Sequence, residues 1–396
     1  MKILFRLFLP SLLFMFQAVF VAPMAPQLGA PKKVLIICDM VEDRIGGAET
    51  VVRQMVKRLP KKNCLVEFMN LDDVPYFTMP WMKDAHCAVP FLSTRYVAEK
   101  ITVFKPDHIF IVFQGFLAAD AARYCKNNNI PFTGFYSAFA PEVVKKASGL
   151  PMCLTRYFSS DPFLSRATNV VVPTASMRDV LNEDGFRHVI AWPHGIDLDQ
   201  FTVPTAEEKV AATRACCLEG LKRPFYLYVG RVTPIKNLPA FFDITLPGTK
   251  IVVGPENDGF SIEKAKKAYP GIIFVGPKKG AELAKYYQAA DVFVLPSKLD
   301  SFGLVLLEAL ASGIPVVGFN TFGPMDVVPH GCGVSYLAND LNSLPELQSC
   351  ALRAWDDVQN GAVTSSMCRA HAERFSWDRA MNQLVDEVLV PIEYVK

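Results

Sequence analysis

"DVFVLPSKLDSFGLVLLEALASGIPVVGF", residues 291–319, is the stretch that decides the architecture. "DVFVLPS" is a short apolar run without alternation, the pattern of a strand buried on both faces of a parallel sheet. "KLDSFG" reads as a loop, "LVLLEALASG" as an apolar helix ending at glycine, and "IPVVGF" as the next buried strand. The helix carries an anomaly: Glu308 lies about one turn inside it, eight positions after Asp300 in the loop. A carboxylate in an apolar helix is costly unless something hydrogen-bonds it.

The same pattern runs along the chain. "VLIICD" (34–39) opens a first sheet, followed by the glycine loop "MVEDRIGGAET" and by "VVRQMVKRL", whose apolar positions 51, 52, 55, 56 and 59 share one helical face. "HIFIVF" (108–113), "FTGFY" (132–136), "NVVVP" (169–173) and "HVIAWP" (188–193) continue it as one doubly wound α/β domain. A second begins near residue 220, where "PFYLYVGR", "KIVVG", "IIFVG", "DVFVLPS" and "IPVVGF" alternate with helix-like segments. The expected division is 31–201 and 202–375, with a polar boundary at 201–222 and a terminal helix over 376–396, where Ser376 is placed to cap it.

Composition narrows the function. The chain has 396 residues, 51% hydrophobic and 20% charged, enough for about two cores. Its 41 basic and 39 acidic residues are spread evenly, so it lacks the basic block of a nucleic-acid binder. Ten cysteines show no C-x-x-C pair and no histidine at zinc spacing, and read as reduced, mostly buried hydrophobes. Residues 1–30 contain most of a 25-residue uncharged run between Arg6 and Lys32, expected as a membrane anchor or in-plane segment, with a cleaved secretory signal as the alternative. Lys2 and Arg6 are matched by Lys32 and Lys33, so flanking charge does not fix an orientation.

Two places on the second sheet carry candidate chemistry. In "VGRVTPIKNL" (229–238) a strand ends and leaves Arg231 and Lys236 at the carboxyl edge, where open α/β sheets bind ligands. Two cations five apart suit a diphosphate, while a solvated loop with ordinary surface charge is the other reading. Backbone N–H groups near Ser301 to Leu304 stand at a helix N-terminus, an anion-binding position. Ribose hydroxyls, or a donor within the protein, would satisfy Glu308.

Together these segments resemble the nucleotide-sugar site of the GT-B fold glycosyltransferases, in particular the retaining family four. Its E-x7-E signature stands here as Asp300 to Glu308, within "FGLVLLEALASGIPVV". "GGAET" looks like the family's glycine loop, "WPHGIDLDQF" like P-x-G-[VI]-D, "VGRVTPIKNL" like G-R-x-x-x-x-K-[GN], "ADVFVLPS" like its A-D strand, and "RFSW" like its carboxy-terminal element. The resemblance implies two Rossmann-like domains facing a cleft. It assigns Arg231 and Lys236 to the donor diphosphate, Glu308 to the ribose, and Asp300 to the sugar or the transition state. Ser301, Phe302, Gly303 and Leu304 would supply the donor-binding backbone, and Gly46 and Gly47 close approach from the first domain. The implied reaction moves a hexose from a UDP- or GDP-sugar to a lipid or glycan acceptor with retention, with no cofactor and no metal. The apolar amino terminus, and the need for a nucleotide-sugar supply, make the expected location a membrane surface with the catalytic domains on its cytoplasmic side.

Two departures stand out. Asp300 is one methylene shorter than the usual glutamate, and "D-[ST]-F-G" resembles a lipid-glycosylating subgroup. Tyr136, in "FYSAF", falls where the family places a catalytically important histidine. Tyr136 is therefore a catalytic candidate, and a catalytically lapsed, membrane-attached binding module is the rival reading. His194, in "WPHGID", reads as a packing or turn residue. Asp197 and Asp199 form a D-x-D in the wrong context for metal, and "GGAET" is not the dinucleotide fingerprint G-x-G-x-x-G.

Overall fold

The computed structural model describes residues 30–40, 46–78, 88–112, 115–137, 164–256 and 260–389. The apolar stretch 1–29 lies outside them, and with it the expected membrane segment. Among the described residues no helix is long and apolar enough to cross a membrane.

In the first half, strands β1 (Lys32–Cys38), β2 (Cys64–Met69), β3 (Tyr76–Thr78), β4 (Ala88–Pro90), β5 (His108–Val112), β6 (Thr133–Phe135), β7 (Asn169–Val172) and β8 (Val189–Ala191) follow in order. Six of them form one parallel sheet, β2-β1-β5-β6-β7-β8, and β3 and β4 pair separately as an antiparallel ribbon. The second half contributes β9 (Phe225–Val229), β10 (Thr249–Val253), β11 (Ile272–Gly276), β12 (Val292–Leu295), β13 (Val316–Phe319) and β14 (Ser335–Ala338). They form a parallel sheet ordered β11-β10-β9-β12-β13-β14. The order reverses between β9 and β12, so the loops after those strands diverge and open a crevice at their carboxyl ends.

The apolar runs are buried because both faces of each sheet are covered. On β1, Val34, Ile36 and Cys38 belong to one core and Leu35 and Ile37 to another, as successive strand residues must. Trp377, Met381 and Leu384 lie in the first of these cores, so the carboxy-terminal helix Trp377–Gln383 returns to the first domain. Ser376 caps it by accepting from Arg379 N at 3.2 Å. The return is stitched to the outgoing chain: Ile196 N donates to Phe375 O at 2.7 Å, and Trp192 Nε1 to Ala380 O at 2.7 Å. A Cβ on Gly195 would stand 2.3 Å from Trp377 N, so this crossing requires glycine.

The stretch 201–222 is not the plain polar boundary the sequence suggests. It holds the helix Ala206–Ala215, started by a capping box between Thr205 and Glu208. Its Ala212, followed by Cys216 and Leu218, packs into the second core. Asp291, at the mouth of β12, fixes this helix to the sheet. The buried carboxylate accepts from Lys209 Nζ at 2.8 Å, Arg223 Nη1 at 2.6 and 2.7 Å, and Phe225 N at 2.8 Å.

Candidate active site

A cleft of about 230 Å³ lies between the domains at the β9/β12 crevice. Gly46, Gly47, Thr50, Ser137 and His194 line it from the first domain; Arg231, Lys236, Lys278, Asp300 and Glu308 are among those lining it from the second. A larger hollow, about 470 Å³, lies beside Lys33 and the helix Ser93–Phe104, and none of the motif residues reaches it.

The floor of the cleft is made where strands stop. Gly230 N donates to Val253 O, and Gly254 N to Gly276 O, at 3.0 and 2.9 Å. Gly254 has φ +154°, and a Cβ there would lie 1.9 Å from Gly230 O. Only glycine lets the ends of β9 and β10 approach this closely and leave backbone as the cleft surface.

Arg231 leaves this floor exposed, its own carbonyl held by the buried Tyr228 hydroxyl at 2.9 Å. Lys236 closes a short turn whose cap is Thr233, and Asn237 Nδ2 ties that turn to Pro296 O at 3.0 Å across the switch point. Lys236 Nζ then reaches Asp300 Oδ2 at 2.6 Å. The cation expected on the diphosphate and the acid expected on the sugar are therefore each other's partner. An anion arriving between them would compete for the ammonium and release the carboxylate.

The helix Leu304–Ala311 begins at Gly303, which has φ +87°, with no side chain capping it. Its first N–H groups, unshared within the helix, open on the cleft together with Ser301, Phe302 and Gly303. Glu308 is half-buried one turn further in, and Tyr287 Oη donates to its Oε2 at 2.6 Å. Burial pushes the Glu308 carboxyl up to about 7, opposed by that hydrogen bond. The donor within the protein, one of the two partners considered from sequence, thus exists, and it takes one oxygen.

Tyr136 is not brought to the cleft. It follows Phe135 with its side chain on the opposite face of the sheet, packed with Leu164, Val172, Met177 and Leu181. Its neighbour Ser137 lines the cleft instead. His194 is a packing residue, as the sequence suggested, and also lines the cleft: its ring is buried 4.7 Å from that of Phe302, between the domains, and burial lowers its pKa to about 3. It is neutral at physiological pH. Asp197 accepts from Asp199 N and Gln200 N at 3.2 Å and pairs with Arg58 at 3.5 Å, which makes the D-x-D a turn. Among the described residues no cluster of His, Cys, Asp or Glu is arranged to hold a metal.

Sequence reading passed over Thr50, Ser137 and Lys278. Lys278 had a partial signal, since it stands two residues after the glycine that ends "IIFVG", with Pro277 between, near where Arg231 follows the glycine that ends "FYLYVG". Ser137 had none apart from its neighbour.

Two family models match, Glycosyltransferase Family 4 over residues 45–200 and Glycosyl transferases group 1 over residues 217–344. A D-inositol 3-phosphate glycosyltransferase of Geodermatophilus obscurus is 30% identical over 317 residues, covering 74% of this chain and 69% of that protein. The chain belongs to glycosyltransferase family 4. Other relatives include a GDP-mannose-dependent alpha-mannosyltransferase of Mycobacterium tuberculosis, 28% identical over 58% of this chain and 60% of that protein. A sulfoquinovosyl transferase of Arabidopsis thaliana is 27% identical over 75% of this chain and 59% of its own length. The family 4 chain thus spans about 60% of the length of these two relatives. Its fold is the GT-B arrangement of two facing α/β domains. Sucrose-phosphate synthase from Thermosynechococcus elongatus superposes with a TM-score of 0.69 at 20% identity, covering 89% of this chain and 97% of that one. Anabaena HepE, solved with UDP-glucose, gives 0.67 at 17% identity, covering 89% and 98%.

Proposed function

We propose that this protein transfers a hexose from a nucleoside diphosphate sugar, UDP- or GDP-linked, to a lipid or glycan acceptor with retention of configuration. The observation that carries the reading is the convergence of Arg231, Lys236, Glu308 and an uncapped helix N-terminus on one interdomain cleft. The chemistry needs a leaving diphosphate stabilised, and two cations plus oriented backbone N–H groups in a narrow cleft do that. Lys236 exchanges Asp300 for phosphate as the donor enters, which leaves the Asp300 carboxylate free beside the anomeric carbon, where positive charge develops. Glu308 accepts from the ribose, and the neutral His194 ring helps wall the side where the domains meet. The relatives' names, one GDP-mannose-dependent, and a structural neighbour holding UDP-glucose support a nucleotide-sugar donor.

Residues 1–30 hold the enzyme at a membrane surface with both domains on the cytoplasmic side, where donor is available. Their uncharged run supports this, and a lipid or growing glycan at that surface fits as acceptor. Deleting residues 1–30 should move the protein from the floating to the soluble fraction in vesicle flotation; an unchanged distribution refutes the anchor.

Tyr136 favours a second reading, a lapsed enzyme that binds nucleotide without turnover, because the position of the family's histidine is turned into the core. A panel of UDP- and GDP-hexoses, with the native chain beside Glu308→Ala, separates the two. Turnover lost in the variant supports the transferase, whereas nucleotide binding without turnover in either protein supports the module.

A further inference from the structure

Tyr287 lies on the helix Gly280–Ala289 behind the cleft wall, fully buried. Its ring is held between Phe201, edge-on at 5.5 Å, and Phe293 at 5.8 Å. Packing therefore fixes where its hydroxyl points, and the hydroxyl donates to Glu308 Oε2 at 2.6 Å. A phenol has one proton to donate, and here it is committed. Among the described residues no other group bonds the Glu308 carboxylate, so its second oxygen is unshared at the cleft.

We propose that Tyr287 is a positioning residue for the donor site: by holding one oxygen of Glu308 it favours the charged carboxylate and turns the other oxygen towards the ribose hydroxyls of a nucleoside diphosphate. This rests on the reading of the cleft as a nucleotide-sugar site. A hydrogen bond to a carboxylate stabilises the charged form, and here it is what opposes the burial that lifts Glu308 to about 7. On the cleft side the neighbouring titratable groups are Tyr228, Arg231, Lys236, Lys278, Asp300 and, from the first domain, His194. Behind the helix they are Arg369, which donates to Ala311 O, His371, which bonds Val327 O, and Asp326, which accepts from Ser176. Burial and Tyr287 alone account for the displacement of Glu308. Without the phenol O–H Glu308 keeps its proton to higher pH, and a protonated carboxyl has less acceptor capacity for the ribose.

The test is calorimetric titration of the full chain, Tyr287→Phe and Glu308→Gln with UDP, GDP and 2′-deoxy-UDP, from about pH 6 to about pH 9. Affinities are taken relative to Glu308→Gln, which cancels titration of the nucleotide itself. Phenylalanine keeps the ring and its packing, and a thermal melt checks the fold. Affinity of the native chain should rise with pH through neutrality. Tyr287→Phe should weaken the preferred ribonucleotide about tenfold at neutral pH, recover as pH rises, and leave 2′-deoxy-UDP little changed. Equal weakening at every pH, equal weakening of the deoxynucleotide, or no weakening overturns the positioning role. If Glu308→Gln binds both ribonucleotides as tightly as the native chain, or the native chain binds neither, the nucleotide reading itself falls and takes the proposal with it.

Discussion

Replacing Glu308 by glutamine should stabilise the protein at alkaline pH while weakening its site. Glu308 is held at about 7 in the folded chain against an ordinary 4.5. A carboxyl whose folded pKa is raised binds more protons folded than unfolded between those values, so stability falls as pH climbs from 4.5 towards 7 and stays reduced above. The full displacement corresponds to a ceiling of about 3.4 kcal/mol, of which about 2.5 kcal/mol develops between about pH 5 and about pH 8. Because the carboxylate is only half-buried and keeps some water, about 1–2 kcal/mol is the effect to look for. Glutamine cannot ionise and still accepts from Tyr287. Urea unfolding of both proteins at the two pH values measures it: the stability of Glu308→Gln relative to the native chain should improve by that amount from the acid to the alkaline condition. Asp39, raised to about 6 by burial, titrates in both proteins and cancels. A difference independent of pH, or one that moves the other way, refutes the reasoning.

Three further outcomes follow from the geometry. Asp291→Ala leaves the buried Phe225 N–H without its acceptor and removes the partner of Lys209 and Arg223, and should cost about 2–3 kcal/mol in urea unfolding, where a surface pair would cost under about 1 kcal/mol. Gly254→Ala drives a Cβ into Gly230 O and should lose more than about 2 kcal/mol of stability and weaken nucleotide binding, both visible when melts are run with and without UDP or GDP. Lys236→Ala should weaken UDP or GDP about tenfold by calorimetry yet leave uridine or guanosine unaffected if, as proposed, the lysine passes from Asp300 to the phosphates; equal losses for nucleoside and nucleotide would count against it.

Much of the fold was legible because its strands are buried on both faces and say so in runs such as "VLIIC" and "DVFVL". The edge strand β2, "CLVEFM", escaped for the same reason inverted: only Cys64 and Met69 are fully buried, and Glu67 interrupts the run. The helix Ala206–Ala215 escaped because a single alanine, Ala212, is its buried residue, which leaves no apolar stripe to read. In the site, residues within one loop or helix were legible, and pairings across long separations were not. Nothing local announces that Lys236 meets Asp300, 64 positions away, or that Glu308 meets Tyr287 on another helix. Tyr136 shows the limit most clearly, since a motif fixes position along a strand while the pleat decides the face, and here it faces away from the cleft.

The returning helix has a consequence for how the chain is made. Trp377, Met381, Leu384 and Val388 complete a core whose other wall is β1, more than three hundred residues earlier. A ribosome must finish the whole second domain before the first can close its hydrophobic layer, so the first domain emerges early yet matures last. Until then the part of that sheet face not covered by Val51, Val52, Met55 and Leu59 is open to solvent. The two ends of the described chain are thus a single late-folding unit, and shortening the carboxy terminus would be felt at the opposite end of the sequence.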